Sequence, residues 1–381
     1  MARHLRSVLQ RITSDLPIVA AIAVVWWLHA AGGFAQTTAR KIELNTGKQI
    51  YQAACVACHG PDGKGTPRTT AGFEPPKTFP DFSDCNSTTR EPDINWISII
   101  HLGGRARGFS EIMPSFTEAL TPEQIKKAVQ HLRSFCTERS WPRGELNFPR
   151  AFVTEKAFPE DEIVITSAIN SKGSPFVGNQ LVYERRFGRA NQVEINLPIS
   201  YRQEASGIGD MIFGYKRLVF SSLRTGSIFS VSAEATVPTG NRSQGLGGGV
   251  TVAEGFAAFD QRLSKNSFVQ VQTGVEVPTH SGDVAKAAYM RTAFGWTFTQ
   301  NKGFGRAWSP IVEMIADREL VKGEKTNWDI VPQLQVTLSK RQHVRASLGY
   351  RAPLNDAGAR IGQVMFYLLW DWFDGGLKEG W

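Results

Sequence analysis

The sequence predicts a multi-domain chain: a small all-α domain, then an antiparallel transmembrane β-barrel of about 12 strands. Three observations predict it. All four cysteines fall between positions 55 and 136. Apolar residues recur at helical spacing over Ile125, Ala128, Val129, Leu132 and Phe135. From position 162 the period becomes two, in segments longer than an ordinary strand. Composition agrees. The 381 residues are 41% hydrophobic and 20% charged, which excludes a disordered chain. One long apolar run excludes a polytopic helical membrane protein. The net charge of +8 comes without a block of like charges, so no nucleic-acid partner is expected.

Residues 1–35 read as a signal peptide. Arg3, Arg6 and Arg11 precede the apolar stretch from Leu16 to Ala31, and Gly33-Phe34-Ala35 supplies small residues for cleavage. The stretch is short for crossing about 30 Å of hydrocarbon. Export would place the chain where disulfides and covalent haem attachment occur.

Residues 36–139 carry the chemistry. Cys55-Val56-Ala57-Cys58-His59 has the C-x-x-C-H spacing of haem c attachment. Two thiols one helical turn apart can add to the two vinyl groups of one haem, and the adjacent imidazole then lies under the iron. Structural zinc would want a second close ligand pair, which Cys85 and Cys136 do not form. A thioredoxin-like pair would want a βαβ context, and none is present. The stretch from Thr46 through the glycine-rich turn Gly60-Pro61-Asp62-Gly63-Lys64-Gly65 resembles class I cytochrome c. The resemblance implies a helical domain around one covalently attached haem c, with His59 as proximal ligand and a methionine as distal ligand. Met113, in Ile112-Met113-Pro114-Ser115-Phe116, fits the distal position. It is the one methionine of this domain, and Pro114 holds its backbone extended. His101 and His131 are the competing ligands.

A helix should follow the Met113 loop. Thr121 is an N-cap, Pro122 suits the first helical position, and Gln124 completes a capping box. Cys85 and Cys136, left over from the haem, read as one disulfide in an oxidising compartment, with two free thiols as the alternative. Arg105 and Arg107 are candidates for the haem propionates, with solvated surface arginines as the bland alternative. Pro75, Pro76 and Pro80 are candidates to pack near His59. A Met/His pair leaves no open coordination position, which favours an electron carrier over an enzyme.

Residues 140–161 read as a Pro-rich linker. Pro142, Gly144 and Pro149 break any period, but Trp141, Phe148, Phe152 and Phe158 are unusual for a free spacer. The segment should pack, most simply against the domain that follows.

Residues 162–381 read as an outer-membrane β-barrel. Val193, Ile195, Leu197 and Ile199 alternate with Gln192, Glu194, Asn196 and Pro198. The same pattern runs through 226–237, 266–277 and 326–339. Segments of about 9–14 residues suit tilted membrane strands, which need about 9–11. The polar face suits a wet lumen, with Glu194, Glu234, Glu276, Asp329 and Arg345 upon it. Trp296, Trp308, Trp328, Trp370 and Trp372 are candidates for interfacial girdles. Gly207-Ile208-Gly209-Asp210 and Pro238-Thr239-Gly240 resemble the outer-membrane family named after a phenol-degradation pathway protein.

The whole resembles the fused cytochrome–porins of bacterial outer membranes. It departs from their iron-oxidising members in its Met-loop helix, its linker and a shorter barrel, so iron is not carried over as a substrate. The resemblance implies a bacterial outer-membrane location. The haem domain, too large to fit wholly inside the barrel, is expected at its periplasmic mouth, where barrel N-termini usually lie. The expected partners are a periplasmic redox protein or small redox carrier, and outer-membrane lipid. The alternative is a solute channel with an accessory cytochrome domain.

Overall fold

Thr46 caps the first helix because its hydroxyl accepts from the Gln49 N–H while the Gln49 side chain returns to the Thr46 N–H. Helix α1 (Gly47–Ala54) then buries Ile50 and Tyr51. In the computed structural model, residues 44–67, 79–280, 284–300 and 304–381 are described. The signal-peptide reading over 1–35, and Pro75 and Pro76, lie outside the described residues. Four helical pieces follow α1: α2 (Val56–His59), α3 (Cys85–Thr88), α4 (Asp93–Leu102) and α5 (Pro122–Arg133). Helix α5 begins with Thr121 as N-cap, Pro122 in the first turn and a Thr121–Gln124 capping box. Its apolar stripe of Ile125, Ala128, Val129 and Leu132 packs with Ile50, Tyr51, Ile100 and Leu120. The α1–α5 crossing is tight at Gly47, where any β-carbon would overlap the Lys127 carbonyl. Cys85 and Cys136 form a disulfide that ties α3 to the segment after α5.

Twelve long antiparallel strands close into a barrel among the described residues. They are β1 (Glu162–Asn170), β2 (Phe176–Phe187), β3 (Asn191–Arg202), β4 (Met211–Ser222), β5 (Ser227–Val237), β6 (Val252–Arg262), β7 (Ser267–Pro278), β8 (Ala287–Trp296), β9 (Ala307–Glu319), β10 (Asn327–Thr337), β11 (Val344–Pro353) and β12 (Gln363–Asp371). Sequential strands pair with each other, and β12 returns to β1 with Asp371 opposite Glu162. Closure removes every sheet edge. At one end the connections are short, at 188–190, 223–226 and 263–266, and the helical domain sits at this end. The other end carries longer loops at 203–210, 238–251 and 354–362. Period two fixes the two faces. Val193, Ile195, Phe213, Met290, Phe294 and Leu334 point outward. Leu348 is 60% exposed and Phe366, its cross-strand neighbour, 44% exposed. Trp296 and Trp370 lie on the outer face near the short-turn end, and Trp328 near the long-loop end. Trp372 follows the last strand and stacks on Tyr183.

The lumen near the short-turn end is filled. Residues 144–161 enter it, turn and return to the start of β1. Leu146, Phe148, Ala151, Ala157 and Phe158 form one buried cluster with Leu218, Ile228, Ala258, Phe268, Ala293 and Ile311 of the wall. Phe148 stacks on Phe268. Glu313 on β9 accepts the N–H groups of Phe152, Val153 and Thr154 at 2.7–3.1 Å, and the Thr154 hydroxyl at 2.9 Å. Arg150 pairs with Glu155, Glu162 and Glu184. Lys156 pairs with Glu160 and Glu162. The wet lumen expected from the polar wall is therefore corrected over this half. Its charges meet the inserted segment, because buried ions need partners once water is displaced. Asp329 and Arg345 are likewise paired, with Arg351 and Arg360 and with Asp371.

Candidate cofactor site

The short helix α2 presents the C-x-x-C-H residues in a single turn. The N–H groups of Cys58 and His59 both bond to the Cys55 carbonyl. Tyr51, from α1, donates its hydroxyl to Gly60 O at 2.6 Å and so fixes the turn after His59. Gly60 has φ +71°, a left-handed conformation that favours glycine. Phe79 stacks on the His59 ring at 5.0 Å and Phe82 lies tilted against it at the same distance. The Met113 loop is held by α4 and the turn after it. Gly104 N donates to Met113 O at 3.0 Å, and Phe116 N donates to Ile100 O at 3.0 Å.

These pieces enclose one cavity of about 650 Å³, within the range of cofactor pockets. Cys55, Cys58, His59 and Met113 all line it. Its other walls are largely apolar, with Phe79, Phe82, Trp96, Ile99, Ile100 and Leu132. Cys55 and Cys58 are not joined to each other. Burial pushes the His59 imidazole down to about 4, so the ring is neutral at pH 7 with a lone pair to offer. Burial, with the neighbouring Cys58, pushes the Cys55 thiol up to about 11.

The residues present fit a covalently held haem. Two free thiols, an imidazole and a thioether share one apolar cavity of cofactor size. Among the described residues the buried Nδ1 of His59 has no hydrogen-bond partner.

The other sequence candidates separate. His101 stacks on Phe304 and its Nδ1 lies 3.3 Å from the Thr117 hydroxyl, off the cavity wall. His131 packs against Tyr51 and Phe135 and does not line the cavity either. Arg105 is 82% exposed and paired with Glu111. Arg107 is 3% exposed and lines the cavity, as does Pro80. Sequence reasoning misses one wall altogether. Arg341, from the turn between β10 and β11, and Phe373, Asp374 and Gly375, after β12, also line the cavity. No local pattern marks these residues, because they reach the site only through closure of the barrel.

The family model described as cytochrome c matches residues 44–135. No curated protein sequence matches the chain. Among solved structures, the fold is similar to an outer-membrane channel from Pseudomonas putida F1, with 11% identity over 58% of this chain and 99% of that one, at a TM-score of 0.41. It is also similar to the NanC porin, with 7% identity over 54% and 97% and a TM-score of 0.40. The KdgM porin in complex with disordered oligogalacturonate gives 6% identity over 55% and 98%, with a TM-score of 0.38. The chain thus joins a cytochrome c domain to a closed twelve-stranded antiparallel β-barrel.

Proposed function

We propose that this protein is a membrane-anchored one-electron carrier, with one haem c bonded to Cys55 and Cys58 and ligated by His59 and Met113. The observation that carries the reading is the meeting of these four side chains on one apolar cavity. Haem supplies a one-electron redox centre when bound. The chain's own residues do the rest. The thiols of Cys55 and Cys58 would tether it, the neutral His59 imidazole and the Met113 thioether would ligate its iron, and the aromatic wall would exclude water. A Met/His pair raises the potential relative to two histidines and leaves no position for substrate.

The barrel is the anchor, and the membrane is a bacterial outer membrane. An outer face lined with Leu, Val, Phe, Met and Trp is costly in water, where contiguous apolar patches rarely exceed a few hundred Å². Outer-membrane barrels keep short turns on the periplasmic side. The cytochrome domain sits at the short-turn end, which supports a periplasmic haem and a periplasmic redox partner. The segment 144–161, packed across the lumen, favours this reading over a solute channel.

Optical spectra of the wild type and Met113→Ala, purified from fractionated outer membranes, test the ligation. The expected result is the weak red-edge band of a methionine-ligated ferric haem, lost in the variant. A wild type without that band, whose reduced form binds carbon monoxide readily, would overturn the carrier assignment.

A further inference from the structure

We propose that Arg107 and the barrel's Arg341 form a carboxylate-binding site shared between the two parts of the chain, and that it holds the haem propionates. This rests on the reading of the cavity as a haem site. Arg107 lies in the turn Gly104–Arg107, buried against the barrel end. Its Nη1 donates to Lys340 O at 3.2 Å and its Nη2 to Asn95 Oδ1. Both acceptors are neutral. Among the described residues it forms no direct ion pair. Glu91 and Asp374 lie near enough to offset only part of its burial, and a buried guanidinium without a bonded counter-charge is expensive. Arg341 is 8% exposed, and its Nη1 pairs with the Glu379 carboxylate at 2.9 Å. Its Nε and Nη2 both donate to Gly108 O, at 3.2 and 3.0 Å, and its cation lies over the Phe109 ring at 4.4 Å. It therefore clamps the loop after Arg107 onto the barrel while lining the same cavity.

Among the described residues these are the two arginines of the cavity wall. Four described acids also line it, and three are engaged. Asp81 accepts from Ser83, Asp84 from Asn86 N, and Glu91 from Asn95. The fourth, Asp374, is pushed well up by burial and then by Glu91, so its carboxyl tends to neutral. Among the described residues Arg107 thus has no ion-paired acid on the wall, and Arg341 pairs only with Glu379, which is itself half exposed, so a buried anion in the cavity would find both guanidinia. Haem's charged periphery is a pair of carboxylates. With the vinyl edge fixed by Cys55 and Cys58, the propionate edge must find its cations elsewhere on the wall, and guanidinium forks match carboxylates. One of the two cations belongs to the barrel, so the bound cofactor would tie the domain to its anchor.

The test uses the full-length protein in detergent. Arg107→Gln, Arg341→Gln, Arg107→Lys and the off-cavity control Arg105→Gln are compared by haem-stained gel, optical spectrum and potentiometric titration. Removing a cation from the propionates favours the ferric form. Each Gln variant at 107 or 341 should keep its covalent haem and its spectrum. At the wild-type midpoint its oxidised-to-reduced ratio should rise about tenfold, a drop of about 59 mV for a one-electron couple. Arg107→Lys should restore most of that drop, and Arg105→Gln should show none. Unchanged midpoints at 107 and 341 with haem attached would overturn the proposal, as would an equal drop in Arg105→Gln. If Arg341→Gln does not fold, Arg107→Gln with its Lys rescue decides. A wild type without covalent haem overturns the haem reading itself, a distinct failure seen first on the stained gel.

Discussion

Gly47 has one job, which is to let α1 approach α5 until its backbone touches the Lys127 carbonyl. Gly47→Val inserts three carbons at that contact, and overpacking of this kind costs about 1–3 kcal/mol. The expected outcome is a lower melting temperature of the cytochrome domain, read by haem absorbance, with the barrel's far-ultraviolet signal unmoved. Tyr51 works at the same scale. Tyr51→Phe removes the hydroxyl that holds Gly60 O, a buried hydrogen bond worth about 1 kcal/mol. Residue-level chemistry is the most legible part of this sequence. Cys55, Cys58 and His59 stand at the spacing that covalent haem attachment would require, and the Thr121 cap announces α5 four residues ahead of Ile125, where its apolar stripe begins. Arg341 and Asp374 give no such sign. Their roles depend on which residues a closed barrel brings beside α4, and no local period encodes that.

Among the elements, the strands are readable because a half-buried sheet enforces period two, and the segments expected near 191–202 and 266–277 appear as β3 and β7. The inserted segment 144–161 is opaque for the opposite reason. Its backbone donors are satisfied not by regular structure but by a carboxylate about 160 positions away. Glu313 is therefore the residue to break. Glu313→Leu leaves the N–H groups of Phe152, Val153 and Thr154 buried and unpaired, at about 1–3 kcal/mol each. In planar lipid bilayers the unmodified protein should pass little current, and Glu313→Leu should show larger, flickering openings. An unmodified barrel with steady large conductance would refute the seal. The disulfide is a second element-scale feature. Cys85 and Cys136 are 51 positions apart, and in the chain-entropy picture closing such a loop stabilises by about 4 kcal/mol. Cys85→Ser with Cys136→Ser should lower the denaturant midpoint of the cytochrome domain accordingly.

At the scale of the whole molecule, the two parts share one compact unit, Glu43–Trp381. Arg90 pairs with Asp161, Arg186 lies over the Trp141 ring at 4.9 Å, and Arg189 reaches Ser140 at 2.7 Å. The stretch between helices and strands is thus interior structure and not a tether. Hydrogen exchange should protect amides 152–157 as strongly as those of β9, while the long loop at 238–251 exchanges early. Fast exchange over 152–157 would mean that the segment leaves the lumen in solution.

The shared wall of the cavity has a consequence in time. Its lining runs from Ala54 to Gly375, so the pocket draws on the first helix and on residues that follow β12. An exported chain emerges from its N-terminus, and the two thiols would leave the membrane long before β12 could close on β1. During that interval one side of the pocket stands open. A haem attached at that stage would enter through the missing wall, and closure of the barrel would then shut it in.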